Sequence, residues 1–235
     1  MIYSICGFCV EFTPRYELLC ERAEKYLSDN QNATPEITLV VTEEEIDEHL
    51  RKFVATRALA EYVLMGIKFY DEIMLHGAFF LHSSALCVDG CGFAFTGPCG
   101  AGKSTHASLW RKYFGDKVIS VNDDKPAIKI SDGAVYICGT PFSGKHDINS
   151  NTVVPLCGIC IMEQSAENAI RRLSSAEAIQ VIMTQTLNST DTNKMSALFD
   201  MLDETLSKVP VYKLSCNISL EAVELAYNAM KSGDL

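Results

Sequence analysis

The sequence predicts an α/β protein built on a mixed sheet, preceded by a small α/β unit. Three observations predict this. Short apolar, β-branched segments alternate with longer segments of helical periodicity. Asp89-Gly90-Cys91-Gly92 and Ser131-Asp132-Gly133 each separate two apolar segments and read as hairpin turns. A third glycine-rich stretch instead joins an apolar segment directly to a helical one. Hairpins beside strand–helix connections argue for a sheet with both parallel and antiparallel pairs.

In chain order, residues 2–12 read as a strand. Residues 14–27 form an amphipathic helical segment, with Pro14 suited to its first turn. Residues 37–41 are a short β-branched strand. Thr42 and Glu45 make a capping box, and residues 45–69 carry one long helical pattern. This β-α-β-α run defines a unit over residues 1–75, and residues 76–235 form the larger domain. There, residues 79–88 and 93–96 are strands flanking the first hairpin turn. Residues 104–113 are helical, and residues 118–121 read as a buried strand. Residues 127–130 and 135–138 pair around the second turn. Residues 153–162 and 170–173 are further strands. Ser174 with Glu177 caps a helix reaching about residue 187. Asp191 or Thr192 opens another to residue 208. Residues 211–214 are a strand and residues 219–231 a final helix.

The 235 residues carry a formal net charge of -10 and no local basic cluster, which argues against nucleic acid or an anionic membrane as partner. No apolar run reaches the ~20 residues needed to span a bilayer, and the N-terminus lacks the basic flank of a signal peptide. A cytoplasmic location is expected, with the ten cysteines as reduced thiols that pack as small hydrophobes. Cys6/Cys9 and Cys157/Cys160 have C-x-x-C spacing. Both pairs fall in strand-like runs, where residues three apart face opposite ways, so neither is read as a metal or redox pair.

Gly97-Pro98-Cys99-Gly100-Ala101-Gly102-Lys103-Ser104 fits G-x-x-x-x-G-K-[ST] in full. Backbone N–H groups that curl around a phosphate need conformations glycine adopts cheaply. Lys103 would reach the β- and γ-oxygens. Ser104 would hold Mg²⁺, and the following helix, with Thr105 in its first turn, would aim its positive end at the anion. The expected ligands are ATP and magnesium.

In "VISVNDDKP" an apolar strand ends in Asp123 and Asp124, where a second metal-side carboxylate is needed. One carboxylate would serve the metal and the other would act as base on an attacking hydroxyl. Their mutual repulsion is expected to raise the pKa of one. In "GTPFSGK", Ser143, Gly144 and Lys145 are candidates for a second phosphate-binding turn, with Lys145 contacting phosphate or substrate. His106, Arg171 and Arg172 are read as packing or solvated residues.

"HSSALCVDGCGFAFTGPCGAGKSTHASLW", "VNDDKP" and "GTPFSGK" together resemble the catalytic domain of HPr kinase/phosphorylase. They resemble still more the small kinase-like proteins grouped with it and with ATP-dependent phosphoenolpyruvate carboxykinase. The resemblance covers roughly residues 81–173. It implies a mixed-sheet P-loop kinase core in which a β-hairpin precedes the phosphate loop. It also implies Asp123 as proton acceptor, His82 in contact with that base, and Asp124 on the metal. Two departures bear on substrate: the residues after Lys103 are Ser104-Thr105-His106 rather than Ser-Glu, and the family's later glutamate-containing, glycine-rich metal motif has no clear match.

The reading is a magnesium- and ATP-dependent phosphotransferase. Its acceptor is a hydroxyl on a protein or peptide serine or on a small metabolite, and the chain forms a homo-oligomer as one option. The rival reading is a nucleotide-dependent switch that hydrolyses ATP slowly, and pyrophosphate remains open as a donor.

Overall fold

The computed structural model describes residues 1–232. Strands β1 (Ile2–Ile5) and β2 (Phe8–Glu11) form an antiparallel hairpin. The single strand expected over residues 2–12 is therefore two. The turn is Cys6-Gly7, with φ of 56° and 74°, so Cys6 lies in a turn rather than on a strand. Helix α1 (Glu17–Ala23) is shorter than expected. The buried Glu61 carboxylate accepts from the Arg15 and Tyr16 backbone N–H groups ahead of it, at 2.8 and 3.1 Å. Strand β3 (Ile37–Thr38) runs parallel to β2. The expected helix over residues 45–69 is two helices, α2 (Glu43–Lys52) and α3 (Arg57–Glu72). Phe53 is extended and ends the first. Thr56 caps the second by accepting from the Leu59 N–H. The Thr42–Glu45 capping box is present.

The larger sheet begins with β4 (Ala78–Phe80), β5 (Ser83–Val88) and β6 (Cys91–Thr96). Helix α4 (Lys103–Phe114), β7 (Val118–Asn122), β8 (Ala127–Ser131), β9 (Ala134–Cys138) and β10 (Val153–Gln164) follow. The chain continues through β11 (Ala169–Arg172), α5 (Ser175–Ile182), α6 (Thr192–Lys208), β12 (Val211–Cys216) and α7 (Leu220–Ser232). The order β4-β8-β9-β10-β6-β5-β7, with β12 beside β10 and β11 beyond it, makes a nine-stranded sheet among the described residues. β10 is long enough to pair twice along one edge, antiparallel with β9 through Val153–Pro155 and parallel with β12 from Ile159 onward. β6 runs parallel to it on the other edge. The strands β6, β10 and β12 are thus the parallel centre of a mixed sheet.

Alternation along these strands feeds two cores. Phe93 and Phe95 of β6, with Cys160 and Met162 of β10, pack with residues of α4 and α7 on one face. Ala94, Ile159 and Ile161 pack with α5 and α6 on the other. The N-terminal unit does not stand apart. Its core includes Ala78, Ala127, Cys138 and Phe142, and the rings of Tyr62, Phe69 and Tyr70 meet Phe142. β7, expected to be buried, is an edge strand with Ile119 exposed. No helix among the described residues is long and apolar enough to cross a membrane.

The expectation of free thiols fails at one pair. Cys91 and Cys157 are disulfide-bonded, with Cα atoms 5.7 Å apart. The parallel pairing of β6 with β10 near Gly92 and Leu156 brings them together. The remaining eight cysteines are free.

Candidate active site

The glycine loop leaves the end of β6 and enters α4. Gly97 has φ 141°, and a Cβ there would lie 3.0 Å from the Met162 carbonyl oxygen, so only glycine fits under β10. Gly100 and Gly102 also have positive φ, 83° and 95°. Pro98, Cys99 and Gly100 are exposed at the tip, whereas Ala101 is buried. The Ala101 N–H closes a turn on the Pro98 oxygen at 3.1 Å. Gln164, the last residue of β10, braces the loop by donating from Nε2 to the Gly100 oxygen at 2.7 Å. Lys103 Nζ folds back onto the loop and donates to the Gly97 oxygen at 2.9 Å. Burial lowers its pKa against the opposing attraction of Asp124. Ser104 and Thr105 are exposed on the first turn of α4.

The acid pair follows β7 and is set by a buried residue that the motif reading passed over. Asn122 has no exposed surface. Its Oδ1 accepts from the N–H groups of Asp124 and Lys125, at 3.0 and 2.7 Å. Its Nδ2 donates to the Thr140 and Phe142 oxygens, at 3.1 and 3.0 Å. One side chain therefore fixes both the acid turn and the 140–142 segment. Asp123 Oδ1 accepts from the Ser84 hydroxyl at 2.9 Å. Asp124 is approached by His82 Nε2 at 3.3 Å and by Lys125 Nζ.

This geometry bears on three expectations. His82 pairs with Asp124, not with Asp123. The strand expected over residues 79–88 breaks at Leu81-His82, and the Ser83 N–H donates to the Asp124 oxygen, which sets His82 beside that residue. His82 is held there by Gln185, through Nδ1 at 3.0 Å and through its backbone N–H at 2.8 Å. Secondly, Asp124 is not the member of the pair whose pKa is raised. Burial works upward, but the His82 and Lys125 contacts outweigh it and bring the pKa down to about 2. Thirdly, Ser143 is buried and committed. Its N–H donates to the Tyr62 hydroxyl and its own hydroxyl to Asp147, so it is not free to bind phosphate.

The loop and the acids face one cleft of about 610 Å³. Lys103, Ser104 and Thr105 line one side, and His82, Asp123 and Asp124 another. Gly144, Lys145 and His146 complete it, with the last two exposed. Gly97, Pro98 and Ala101 support the loop without lining this cleft. Among the described residues no cluster of three or more His, Cys, Asp or Glu side chains is arranged to hold a metal. Magnesium bound through one carboxylate, waters and substrate phosphates does not require one. His106 is buried, T-shaped against Phe95, and accepts from the Trp110 indole at 2.9 Å. Arg171 pairs with Glu177 on the surface.

Ser84, Asn122, Lys125, His146, Gln164 and Gln185 are the site residues that sequence reasoning missed. Only Asn122 and Lys125, as neighbours of the two acids, and His146, beside Lys145, carried a local signal.

No protein-family model matches the chain, and no match was found among curated protein sequences. Among solved structures the chain is similar to the HPr(Ser) kinase/phosphatase from Coxiella burnetii. The identity is 13%, over 66% of this chain and 97% of that one, with a TM-score of 0.34.

Proposed function

We propose that this protein is a magnesium-dependent phosphotransferase that moves the γ-phosphate of ATP to an acceptor hydroxyl. One observation carries the reading: Lys103, Ser104, Asp123 and Asp124 line a single cleft. In the proposal, the loop 97–105 takes the triphosphate on its backbone N–H groups and the helix N-terminus. Lys103 leaves the Gly97 and Pro98 oxygens for the β- and γ-phosphates. The residues present suit magnesium. Asp124 is an ionised carboxylate at neutral pH, and Ser104 offers an exposed hydroxyl on the same cleft. The metal would neutralise charge on the phosphates.

Asp123 is the base. Its carboxylate, steadied by the Ser84 O–H, accepts the proton of the acceptor hydroxyl. The freed oxygen forms the new P–O bond as the bond to the β-phosphate oxygen breaks, and ADP leaves with the electron pair. In this arrangement His82 and Lys125 position the metal-side carboxylate rather than the base. Lys145 and His146, on the same cleft, face the transferred group or its acceptor. The acceptor is a protein or peptide serine or a small metabolite.

The test is transfer of label from γ-³²P-ATP, with magnesium, to a panel of hydroxyl-bearing peptides and metabolites. Transfer that falls at least ~10²-fold in Asp123→Asn, with nucleotide binding retained, supports the reading. Label released only to water supports the slow-hydrolysis switch, and near-normal turnover in Asp123→Asn refutes the base assignment.

A further inference from the structure

On the α4 side of the glycine loop lies a second, smaller pocket of about 270 Å³. It joins the cleft through shared lining residues, Gly102, Thr105 and Gln164. It does not include the acids, His82 or Lys145. Its floor is where β10 and β12 end, with Met162, Ser165 and Cys216, and its rim carries Leu109 and Ile218. The C-terminal ends of parallel strands are where open α/β sheets place ligands. No Asp, Glu, Lys or Arg lines this pocket, so it is not built for phosphate. It suits a flat, uncharged, partly apolar group.

His106 supplies the polar handle. The ring is buried, with 2% of its surface exposed, and it lines this pocket. Its Nε2 accepts the Trp110 Nε1–H, so Nε2 carries no proton and the ring's single N–H is on Nδ1. Among the described residues no hydrogen bond engages Nδ1. It is also not among the side-chain atoms that are both sealed from solvent and unpartnered. A fixed donor therefore stands unused at the wall of an uncharged pocket that opens onto the phosphate loop.

We propose that this pocket takes the base and ribose of the nucleotide whose phosphates lie on the loop, with His106 Nδ1–H as hydrogen-bond donor to the nucleoside and Leu109, Met162 and Ile218 as apolar contacts. The proposal rests on the phosphate-loop reading above. It assigns the donor as a nucleoside triphosphate rather than pyrophosphate or a longer inorganic polyphosphate. The phosphates turn at Thr105, where the two cavities meet.

The test is calorimetric titration of the whole protein, in magnesium, with ATP and separately with inorganic tripolyphosphate. ATP is expected to bind at least about 10-fold more tightly. His106→Phe keeps the ring but removes the donor, and is expected to weaken ATP by about 5- to 10-fold while leaving tripolyphosphate unchanged. Because His106→Phe also unpairs Trp110, Ile218→Ser provides a second variant. Ile218 is 78% exposed, so its replacement does not threaten folding, and it is expected to weaken ATP alone by about 2- to 5-fold. Equal affinity for the two ligands, or variants that weaken both alike, would overturn the nucleoside assignment while leaving the phosphate loop intact. If neither ligand binds, the phosphate-loop reading fails and this one falls with it.

Discussion

Replacing Asn122 by alanine tests how the site is held together. The side chain makes hydrogen bonds at both ends: two N–H groups of the acid turn on its Oδ1, and the Thr140 and Phe142 oxygens on its Nδ2. A net hydrogen bond is worth roughly 1 kcal/mol, and a buried group left unpaired costs roughly 1–3 kcal/mol. Phe142 retains a partner in the Thr140 hydroxyl, and the turn N–H groups lie near a cleft that water enters. The expected loss is about 3 kcal/mol, a large share of the ~5–15 kcal/mol that holds a typical domain folded. The chain has a single tryptophan, the buried Trp110, so urea unfolding followed by its fluorescence reads the change. Magnesium-dependent nucleotide affinity should fall in parallel, since Asp124 loses its anchor. Asn122→Asp keeps the acceptor for the turn but sets a carboxylate oxygen against the two carbonyls, so it should not rescue stability. A loss below about 1 kcal/mol with unchanged magnesium-dependent binding would refute the keystone role.

Lys103→Ala should lower phosphate transfer by at least ~10²-fold, because charge stabilisation at the transferred group is lost; initial rates with labelled ATP check it. Burial lowers the pKa of His106 to about 4 from 6.5, so the unfolded chain holds that proton more tightly. Its contribution is fully present above pH 6.5 and is lost as pH falls from there toward about 4, at up to ~1.4 kcal/mol per pH unit. In urea titrations between pH 7 and 5, His106→Phe should therefore lose less stability than the parent, even if it starts lower. Cys91→Ser opens a cross-link spanning 66 residues and should cost about 2–4 kcal/mol. Non-reducing peptide mapping should recover the Cys91–Cys157 pair from the parent protein.

Local chemistry made much of the fold legible. Asp89-Gly90 and Asp132-Gly133 adopt the positive φ values that two-residue hairpins require. The capping boxes at Thr42 and Ser174 are present. Cys6-Gly7 escaped because a cysteine at positive φ has no compositional signal. The break between α2 and α3 escaped because the apolar periodicity continues through it. At the site, the loop and the acids were legible from spacing. Their supports were not, because these come from residues distant in sequence: Ser84 reaches Asp123 across 39 positions and Gln185 reaches His82 across 103. The partner of His82 depended on the strand break at Leu81-His82 itself, and no periodicity distinguishes Asp123 from Asp124 as its target.

The most direct measurement is ATP affinity with and without magnesium in the parent protein, Asp124→Asn and Lys103→Ala. If the loop and the acid pair act on one triphosphate, magnesium tightens binding in the parent. Asp124→Asn abolishes that tightening but retains metal-free binding, and Lys103→Ala weakens both. If magnesium tightens binding equally in the parent and in Asp124→Asn, the two halves of the cleft do not share a ligand and the account is contradicted.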